Sequence, residues 1–396
     1  MTVDTSLVCN LDKQTMTTSD ASGATGAPSG GPFARRGEPR RKAVPGDARR
    51  HNRALVLRTM FREGPVSRAD LARTTNLTRV TTSDLAAELL AEGLIEELGT
   101  RVGQRVGKPA TLLGVVADAR LTVALDLSDD ERFRAALVDL AGKVRDRRSA
   151  ERDGRTGAAA AELAVALVAE LAAAADRPLL GVGIGSPGVV DAAGHVLEAP
   201  NRGWHDLDLA AQVHEAIDAP VHVANDANAV ALAVLGAGGA PDRSLLAVKI
   251  GHGVGAGVVL DGHLVLGDRF AAGEIGHVVV EPGGEPCACG RRGCLETAVA
   301  APRLRHRDDA ARAAAGRRLG EALAPVISTL NLREVVLSGP LDVLDETFRS
   351  AALDAVRDRT MPAVGDHADI RFSSLGEDDV LLGAAMLVLD RELGVA

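Results

Sequence analysis

The sequence contains few cysteines, and they are not distributed as a disulfide framework would require. Only four occur in 396 residues, and three of them lie between Cys287 and Cys294. The fourth, Cys9, lies in a polar N-terminal segment with no other cysteine near it in the sequence. A disulfide-stabilised fold is therefore excluded, and the clustered thiols suit a reducing compartment.

The sequence also lacks a long uninterrupted apolar run. The longest, residues 158–175, is mostly alanine and contains Glu162 and Glu170, so we predict that it does not cross a membrane. Residues 1–31 lack the basic start and apolar core of a signal peptide. We therefore expect a cytoplasmic protein with no membrane partner, long enough for two or three domains.

Basic residues are outnumbered by acidic ones overall, 45 to 54, but they are concentrated near the N-terminus. The chain carries a net charge of −9, whereas residues 31–111 hold 16 basic against 9 acidic side chains, a net charge of +7. A basic front on an acidic body indicates a module that binds a polyanion. Residues 1–48 have few large apolar side chains, which predicts a disordered basic tail. This tail either assists DNA binding non-specifically, is a solvated charge run, or reflects an over-long start site.

Residues 49–115 are predicted to form a winged helix-turn-helix domain. Apolar residues recur there at helical spacing, Ser67 and Thr78 are placed to cap two short helices, and Asn76 marks the turn between them. A strand and a glycine-rich return over residues 94–109 would form the wing. A three-helix protein-interaction module is the alternative, and the local positive charge disfavours it.

In such a domain the second helix enters the major groove, with its first turn at the base edges. The side chains expected at the base edges are Arg79, Thr81, Thr82 and Ser83. Arg105 and Lys108, in the wing, are expected to contact phosphates or a narrow minor groove. One such module buries little surface, so we expect a homodimer or homotetramer on an inverted repeat in duplex DNA.

From residue 119 to the C-terminus, short β-rich runs alternate with helical segments, which predicts an α/β body. His277 and the three clustered cysteines form a possible metal site within this body. Thiolate and imidazole groups are the ligands of structural Zn²⁺, and four protein ligands leave no open position for a catalytic water. The metal ligands predicted on this basis are His277, Cys287, Cys289 and Cys294. The alternative is a chance cluster of reduced cysteines in a surface loop.

Several motifs in this body resemble the ROK family of repressors and sugar kinases. The matching segments, in the family's order, are residues 183–191, 199–204, 223–228, 251–257, 273–277 and 287–296. The resemblance implies an actin-like fold over residues 119–396, with two ribonuclease-H-like lobes and a sugar in the cleft near residues 225–226. The N-terminal winged helix further resembles the repressor branch of the family.

The resemblance also implies which side chains would bind the sugar. They are Asn201, Asn225, Asp226, Glu274, His277 and Glu296, with His277 serving the metal as well. Asp226 stands where the family's kinases carry their catalytic base. Taken alone, Asp226 would more often be the N-cap of the helix that follows, so its role depends on the whole set.

The first phosphate loop departs from the pattern of the family's kinases, which carry an Asp-x-Gly-Gly-Thr loop there. Here residues 126–132 contain no glycine and three consecutive carboxylates, so both close backbone approach and charge complementarity to ATP are lost. The second loop, residues 251–257, keeps its glycines but has His252 where the kinases have threonine. A plain tight turn explains those glycines equally well.

These observations favour a sugar-responsive transcriptional regulator, most simply a repressor, that binds its sugar without phosphorylating it. The alternative is an ATP-dependent ROK sugar kinase with an added DNA-binding domain. A third possibility is a zinc-stabilised scaffold that senses nothing, which a closed cleft would favour. The sequence predicts neither the sugar nor the operator.

Overall fold

The structure is a computed structural model that describes residues 45–100, 110–238 and 243–395. The N-terminal domain contains three helices and a small antiparallel sheet with strand order β1-β3-β2. Its elements are α1 (Pro45–Glu63), β1 (Val66–Ser67), α2 (Arg68–Thr75), α3 (Arg79–Ala91), β2 (Ile95–Thr100) and β3 (Thr111–Val115). Helix α1 begins four residues before the predicted boundary, and residues 1–44 of the predicted tail lie outside the described residues.

Side-chain caps position α2 and α3 as the sequence predicted. The Ser67 hydroxyl accepts a hydrogen bond from the Asp70 backbone N–H, and the Thr78 hydroxyl accepts one from that of Thr81. Asn76 ends α2 in the left-handed conformation, with φ 56°. The two helices are therefore joined by a short, locally defined turn.

The first lobe is built on a mixed five-stranded sheet with strand order β11-β7-β4-β5-β6. Its elements are β4 (Leu121–Asp126), β5 (Arg132–Asp139), β6 (Val144–Glu151), α4 (Gly157–Ala174), β7 (Leu179–Ser186), β8 (Val189–Val190), β9 (Val196–Ala199), β10 (Trp204–Leu207), α5 (Leu209–Ile217) and β11 (Val221–Asn225). Strands β8 to β10 form a small separate sheet.

The second lobe carries a sheet of the same design, with strand order β14-β13-β12-β15-β16. Its elements, with the helices that precede and follow them, are α6 (Asp226–Ala237), β12 (Leu245–Ile250), β13 (Val254–Leu260), β14 (His263–Val265), α7 (Leu295–Val299), α8 (Ala301–Leu304), α9 (Asp309–Leu330), β15 (Glu334–Ser338), α10 (Glu346–Arg359), α11 (Pro362–Gly365), β16 (Asp369–Phe372) and α12 (Asp379–Leu393). In the first sheet β4 pairs antiparallel to β5 and parallel to β7. In the second sheet β12 pairs in the same way with β13 and β15. The two lobes therefore share one topology, as the family resemblance implied.

Helix α4 is the described helix that is long and apolar enough, by length and composition alone, to cross a membrane. Composition alone therefore does not decide the prediction that this segment does not cross a membrane. One face of α4, which includes Ala164, Leu167 and Leu171, packs into the core of the first lobe. Burial against a sheet accounts for its apolar character.

Helix α12 runs from the cleft between the lobes to the N-terminal domain. At its start, the buried Asp379 accepts a hydrogen bond from the Ser338 hydroxyl at the end of β15. At its other end, Leu389 and Leu393 belong to the same apolar cluster as Leu57 of α1. The end of α12 is thus part of the hydrophobic core of the N-terminal domain.

Candidate functional site

The thiol cluster is formed by the segment between β14 and α7. The Sγ atoms of Cys289 and Cys294 lie 3.7 Å apart, and the Cys287 Sγ lies 3.5 Å from the His277 Nδ1. All four possible ligand atoms lie within 4.8 Å of one another. A tetrahedral ion with metal–sulfur bonds of about 2.3 Å would separate its sulfur ligands by about 3.8 Å. The predicted residues therefore fit one four-coordinate metal ion.

His277 and Glu296 connect this cluster to the cleft between the lobes. The Nδ1 atom of His277 faces the thiols, while its Nε2 lies 3.9 Å from a carboxylate oxygen of Glu274. One oxygen of Glu296 lies 3.6 Å from the Cys287 Sγ, and the other accepts a hydrogen bond of 3.1 Å from the Val254 backbone N–H. A metal ion here would hold the side of the cleft at a fixed geometry.

All six residues that the resemblance assigned to the sugar line one cleft. They are Asn201, Asn225, Asp226, Glu274, His277 and Glu296, joined there by Ser128, Asp130, Lys249 and His252. Burial raises the pKa of Glu274, and the neighbouring charges of Asp226 and Glu296 add to the effect. Amides, carboxylates and an imidazole that face one space are the groups that bind polyols.

Asn225, rather than Asp226, caps α6. The side-chain oxygen of Asn225, Oδ1, accepts hydrogen bonds from the backbone N–H groups of Ala227 and Asn228, at 2.9 and 3.1 Å. The side-chain nitrogen, Nδ2, donates to the Gly188 backbone carbonyl at 2.9 Å. The alternative reading of Asp226 as the cap is thus corrected, and Asn225 has much of its bonding capacity committed to the protein.

Asp226 forms a largely buried ion pair that was not predicted from the sequence. One oxygen accepts a 2.9 Å hydrogen bond from the Ala227 backbone N–H, and the other lies 3.1 Å from the Lys249 Nζ. Both side chains are 14% exposed. Burial alone would lower the pKa of Lys249, but the carboxylates of Asp226, Asp126 and Asp379 outweigh it and hold the pKa above its ordinary value. A lysine inside the apolar strand β12 was the available sequence signal.

A second cation compensates Asp126, the first residue of the first phosphate loop, residues 126–132. The Arg134 guanidinium lies 2.6 Å from the fully buried Asp126 carboxylate. Burial opposes the charge of Arg134, but Asp126 outweighs it and raises the pKa of the guanidinium. Asp126 and Asp226 are therefore each neutralised by a side chain of the same chain.

The backbone N–H groups of the first loop are bound by a carboxylate of the loop itself. Asp129 accepts hydrogen bonds from the N–H groups of Glu131, at 2.7 Å, and Arg132, at 3.2 Å. Burial opposes this charge, yet the two donors outweigh it and lower the pKa of Asp129. The Ser128 N–H is bound in the same way by Asp126, at 2.9 Å. These donors are therefore not free to bind a phosphate.

The carbonyl groups of the same loop surround a buried guanidinium. Arg202, 1% exposed, donates to the carbonyls of Leu127 and Ser128 at 3.1 Å and of Asp129 at 2.9 Å, and it pairs with the Asp130 carboxylate. A loop that directs its carbonyls to a cation has the polarity opposite to one that binds phosphate. Loss of glycine was the visible sequence change. Arg202 lies in one of the matching segments, residues 199–204, but nothing in that segment predicts that it contacts the first loop.

Gly257, the last glycine of the second loop, has a packing reason. A Cβ atom at Gly257 would lie 2.5 Å from the Ala227 carbonyl oxygen of α6, so only glycine lets β13 pass the start of that helix. The glycine at this position therefore does not by itself indicate that the loop binds a nucleotide.

The predicted DNA contacts are only partly available on the surface. Arg79 and Ser83 are exposed at the start of α3, and Thr81 is half-buried with its hydroxyl 2.9 Å from that of Thr78. Thr82 is fully buried and donates to the Thr78 carbonyl, so the expectation that it meets a base edge is wrong. The predicted wing residues Arg105 and Lys108 lie outside the described residues.

The sequence profile of the ROK family matches residues 122–313. A glucokinase from Halalkalibacterium halodurans is 31% identical over 255 residues, which cover 54% of this chain and 77% of that enzyme. The chain belongs to the ROK family. This ROK protein is also 26% identical to a xylose repressor from Bacillus subtilis, over 86% of this chain and 96% of the repressor.

A solved structure gives the same fold for this ROK protein over most of its length. It is a ROK family transcriptional regulator, described as a homologue of the E. coli MLC protein, that superposes with a TM-score of 0.76. The superposition covers 88% of this chain and 98% of that structure, at 24% identity. The likeness includes the N-terminal domain, because the residues after 119 make up only about 70% of the chain.

Proposed function

We propose that this ROK protein is a cytoplasmic, sugar-responsive DNA-binding regulator, a transcriptional repressor, whose cleft binds a sugar without phosphorylating it. The observation that carries the proposal is the first loop. Its amides bind Asp129 and its carbonyls bind Arg202, so the recognition half of a sugar kinase is retained while the ATP-binding half is not. A general base at Asp226 would activate a sugar hydroxyl for attack on a phosphoryl group, and without a bound phosphoryl donor no such attack can occur.

The N-terminal domain supports the DNA-binding part of the proposal. It has the element order and the capped helix–turn–helix of a winged helix, with α3 as the helix for the major groove. The alignment with the xylose repressor covers 86% of this chain, which is more than residues 119–396 can account for, so it extends into the N-terminal domain. The alignment with the glucokinase covers 54% of this chain, which is less than residues 119–396 alone. We infer a homodimer or homotetramer that binds an inverted repeat in duplex DNA.

We assign a structural Zn²⁺ to the thiol cluster. Three thiols and one imidazole at tetrahedral spacing suit zinc, and four protein ligands leave no place for a catalytic water. When bound, the ion would fix His277 relative to the remainder of the cleft. Residues on both sides of the metal would then present a preorganised polar surface to the sugar.

Helix α12 offers a physical connection between sugar and DNA. The negative charge of its first residue, Asp379, helps to raise the pKa of Lys249, the ion-pair partner of Asp226. Its last turn lies in the core of the N-terminal domain. Near its middle a Cβ atom at Gly383 would lie 1.8 Å from the Ala229 carbonyl oxygen, so α12 and α6 touch backbone to backbone. At its end, the Arg58 guanidinium donates to the Gly394 carbonyl at 2.8 Å. Displacement of α6 by a sugar would therefore reach α1 through packed elements.

The second candidate, a sugar kinase, is favoured by one observation, the 31% identity to a glucokinase. The two functions are separated by measuring binding and turnover on the same full-length protein. We expect calorimetric binding of D-glucose or D-xylose, with no sugar-dependent release of ADP from ATP. Turnover at ordinary kinase rates, about 1 to 100 per second, would instead establish the kinase. Absence of binding across a wider panel of sugars and sugar phosphates would contradict sugar sensing and favour a constitutive DNA-binding protein.

A further inference from the structure

The exposed face of α3 is centred on residues that the sequence reading did not select. Positions 80, 84, 87 and 91 follow one another at intervals of three or four, so they lie on one face of the helix. All four are exposed, and they are Val80, Asp84, Ala87 and Ala91. The opposite face, with Thr82, Leu85, Ala86 and Leu89, is buried in the domain. This arrangement puts Arg79 toward one edge of the exposed face.

Val80 is the large aliphatic residue at the N-terminal end of this face. It is 70% exposed, whereas Val56 and Leu57 of α1 are at most 1% exposed. A single exposed aliphatic side chain is common on protein surfaces, so exposure alone indicates nothing. Its place in the first turn of the helix, the turn that meets base edges in this class of domain, is the informative fact.

Asp84 lies one turn further along the same face, and it has no ion-pair partner among the described residues. By contrast, the acidic residues that α3 directs toward α1 are paired, Glu88 with Arg49 and Glu92 with Arg53. A carboxylate on a helix that enters a groove is repelled by the phosphates. It becomes favourable where it accepts a hydrogen bond from a base, and the exocyclic amino group of cytosine is the donor that suits a carboxylate.

We propose that α3 reads two pyrimidines, a thymine through contact of Val80 with its C5-methyl group and a cytosine through a hydrogen bond from its N4 amino group to Asp84. This inference rests on the proposed DNA-binding function. Four residues of helix span about 6 Å and successive bases of one strand lie about 3.4 Å apart. The two bases are therefore one or two steps apart, and the small Ala87 and Ala91 let the helix axis approach the groove.

The thymine contact is tested by removing each of its two partners in turn, the methyl group of the base and the methyl groups of Val80. Full-length protein first selects its preferred duplex from a random library, and each thymine of the half-site is then replaced by uracil, which lacks only the methyl. One replacement should weaken binding by about fourfold, the change that corresponds to exposing one methyl group. Val80→Ala should weaken binding to the thymine duplex similarly and should be insensitive to the uracil replacement.

The cytosine contact is tested by a charge change at Asp84. Asp84→Asn should lose the preference for cytosine at one position of the half-site while binding random duplex more tightly. Glu63→Gln, an exposed acid at the end of α1, is the matched control, and it should keep the wild-type base preference.

Three outcomes are decisive. Equal sensitivity of wild type and Val80→Ala to every uracil replacement would overturn the thymine contact. An unchanged base preference in Asp84→Asn would overturn the cytosine contact. Failure of the wild-type protein to enrich any duplex would overturn the proposed DNA-binding function itself, and this inference with it.

Discussion

Removal of the Zn²⁺ that we assign to His277, Cys287, Cys289 and Cys294 is expected to unfold the side of the cleft to which these residues belong. Structural Zn²⁺ in small modules contributes an apparent binding free energy on the order of 10 kcal/mol, comparable to the stability of a whole domain. Without the ion, burial raises the pKa of the Cys287 thiol to about 12. Since zinc binding requires thiolates, protons compete with the metal, and zinc should be lost more readily as the pH is lowered.

Elemental analysis of freshly purified protein should give one zinc per chain, and a strong chelator should lower the midpoint of thermal unfolding. Cys289→Ser should have a similar effect, whereas Cys9→Ser, a thiol outside the cluster, should have none. A protein with far less than one zinc per chain, whose three clustered thiols all react with an alkylating reagent under native conditions, would contradict the assignment.

Loss of the Lys249 ammonium group is expected to destabilise the folded protein strongly. Lys249→Met removes the cation that compensates Asp226 and acts on Asp126 and Asp379. Removing one partner of a buried ion pair typically destabilises a protein by about 3 to 5 kcal/mol, because a charge remains buried without compensation. Lys143→Met, at an exposed lysine, should change stability by at most about 0.5 kcal/mol.

The double variant Lys249→Met with Asp226→Asn restores neutrality and should recover much of the lost stability. Urea unfolding of the wild type, the two single variants and the double variant gives the coupling energy of the pair. If the double variant is no more stable than Lys249→Met, the ion pair is not what stabilises this part of the cleft.

Local signals predicted the caps and the turn of the N-terminal helices. Ser67, Asn76 and Thr78 form the caps and the turn that their residue types indicate, because capping depends on bonds within a few residues. Helix α1 begins at Pro45, inside the segment 1–48 that its composition assigned to the tail. The burial of Thr82 was missed because two neighbouring threonines look alike in sequence, and only their rotation about the helix separates them.

The cleft was predicted in its membership but not in its interactions. The family resemblance implied Asp226, His277 and Glu296, yet the partners Lys249 and Arg202 come from distant segments that only the tertiary fold brings near. Strand β6 was also missed. Its polar sequence, with one face exposed, has few of the large apolar residues that indicate a strand, and its pairing with β5 alone puts it at the edge of the sheet.

A sugar in the cleft is expected to change the affinity of the protein for DNA without being phosphorylated. The most direct measurement is the fluorescence anisotropy of the selected duplex, titrated with full-length protein in the presence and absence of the sugar that binds calorimetrically. Without ATP, the sugar should change the dissociation constant for the duplex by about 5- to 150-fold, the usual range for coupled sites. The double variant at Lys249 and Asp226 should bind the duplex as tightly as the sugar-free wild type and show no such change. An unchanged dissociation constant in the wild type at saturating sugar, together with ATP-dependent formation of a sugar phosphate, would contradict the account.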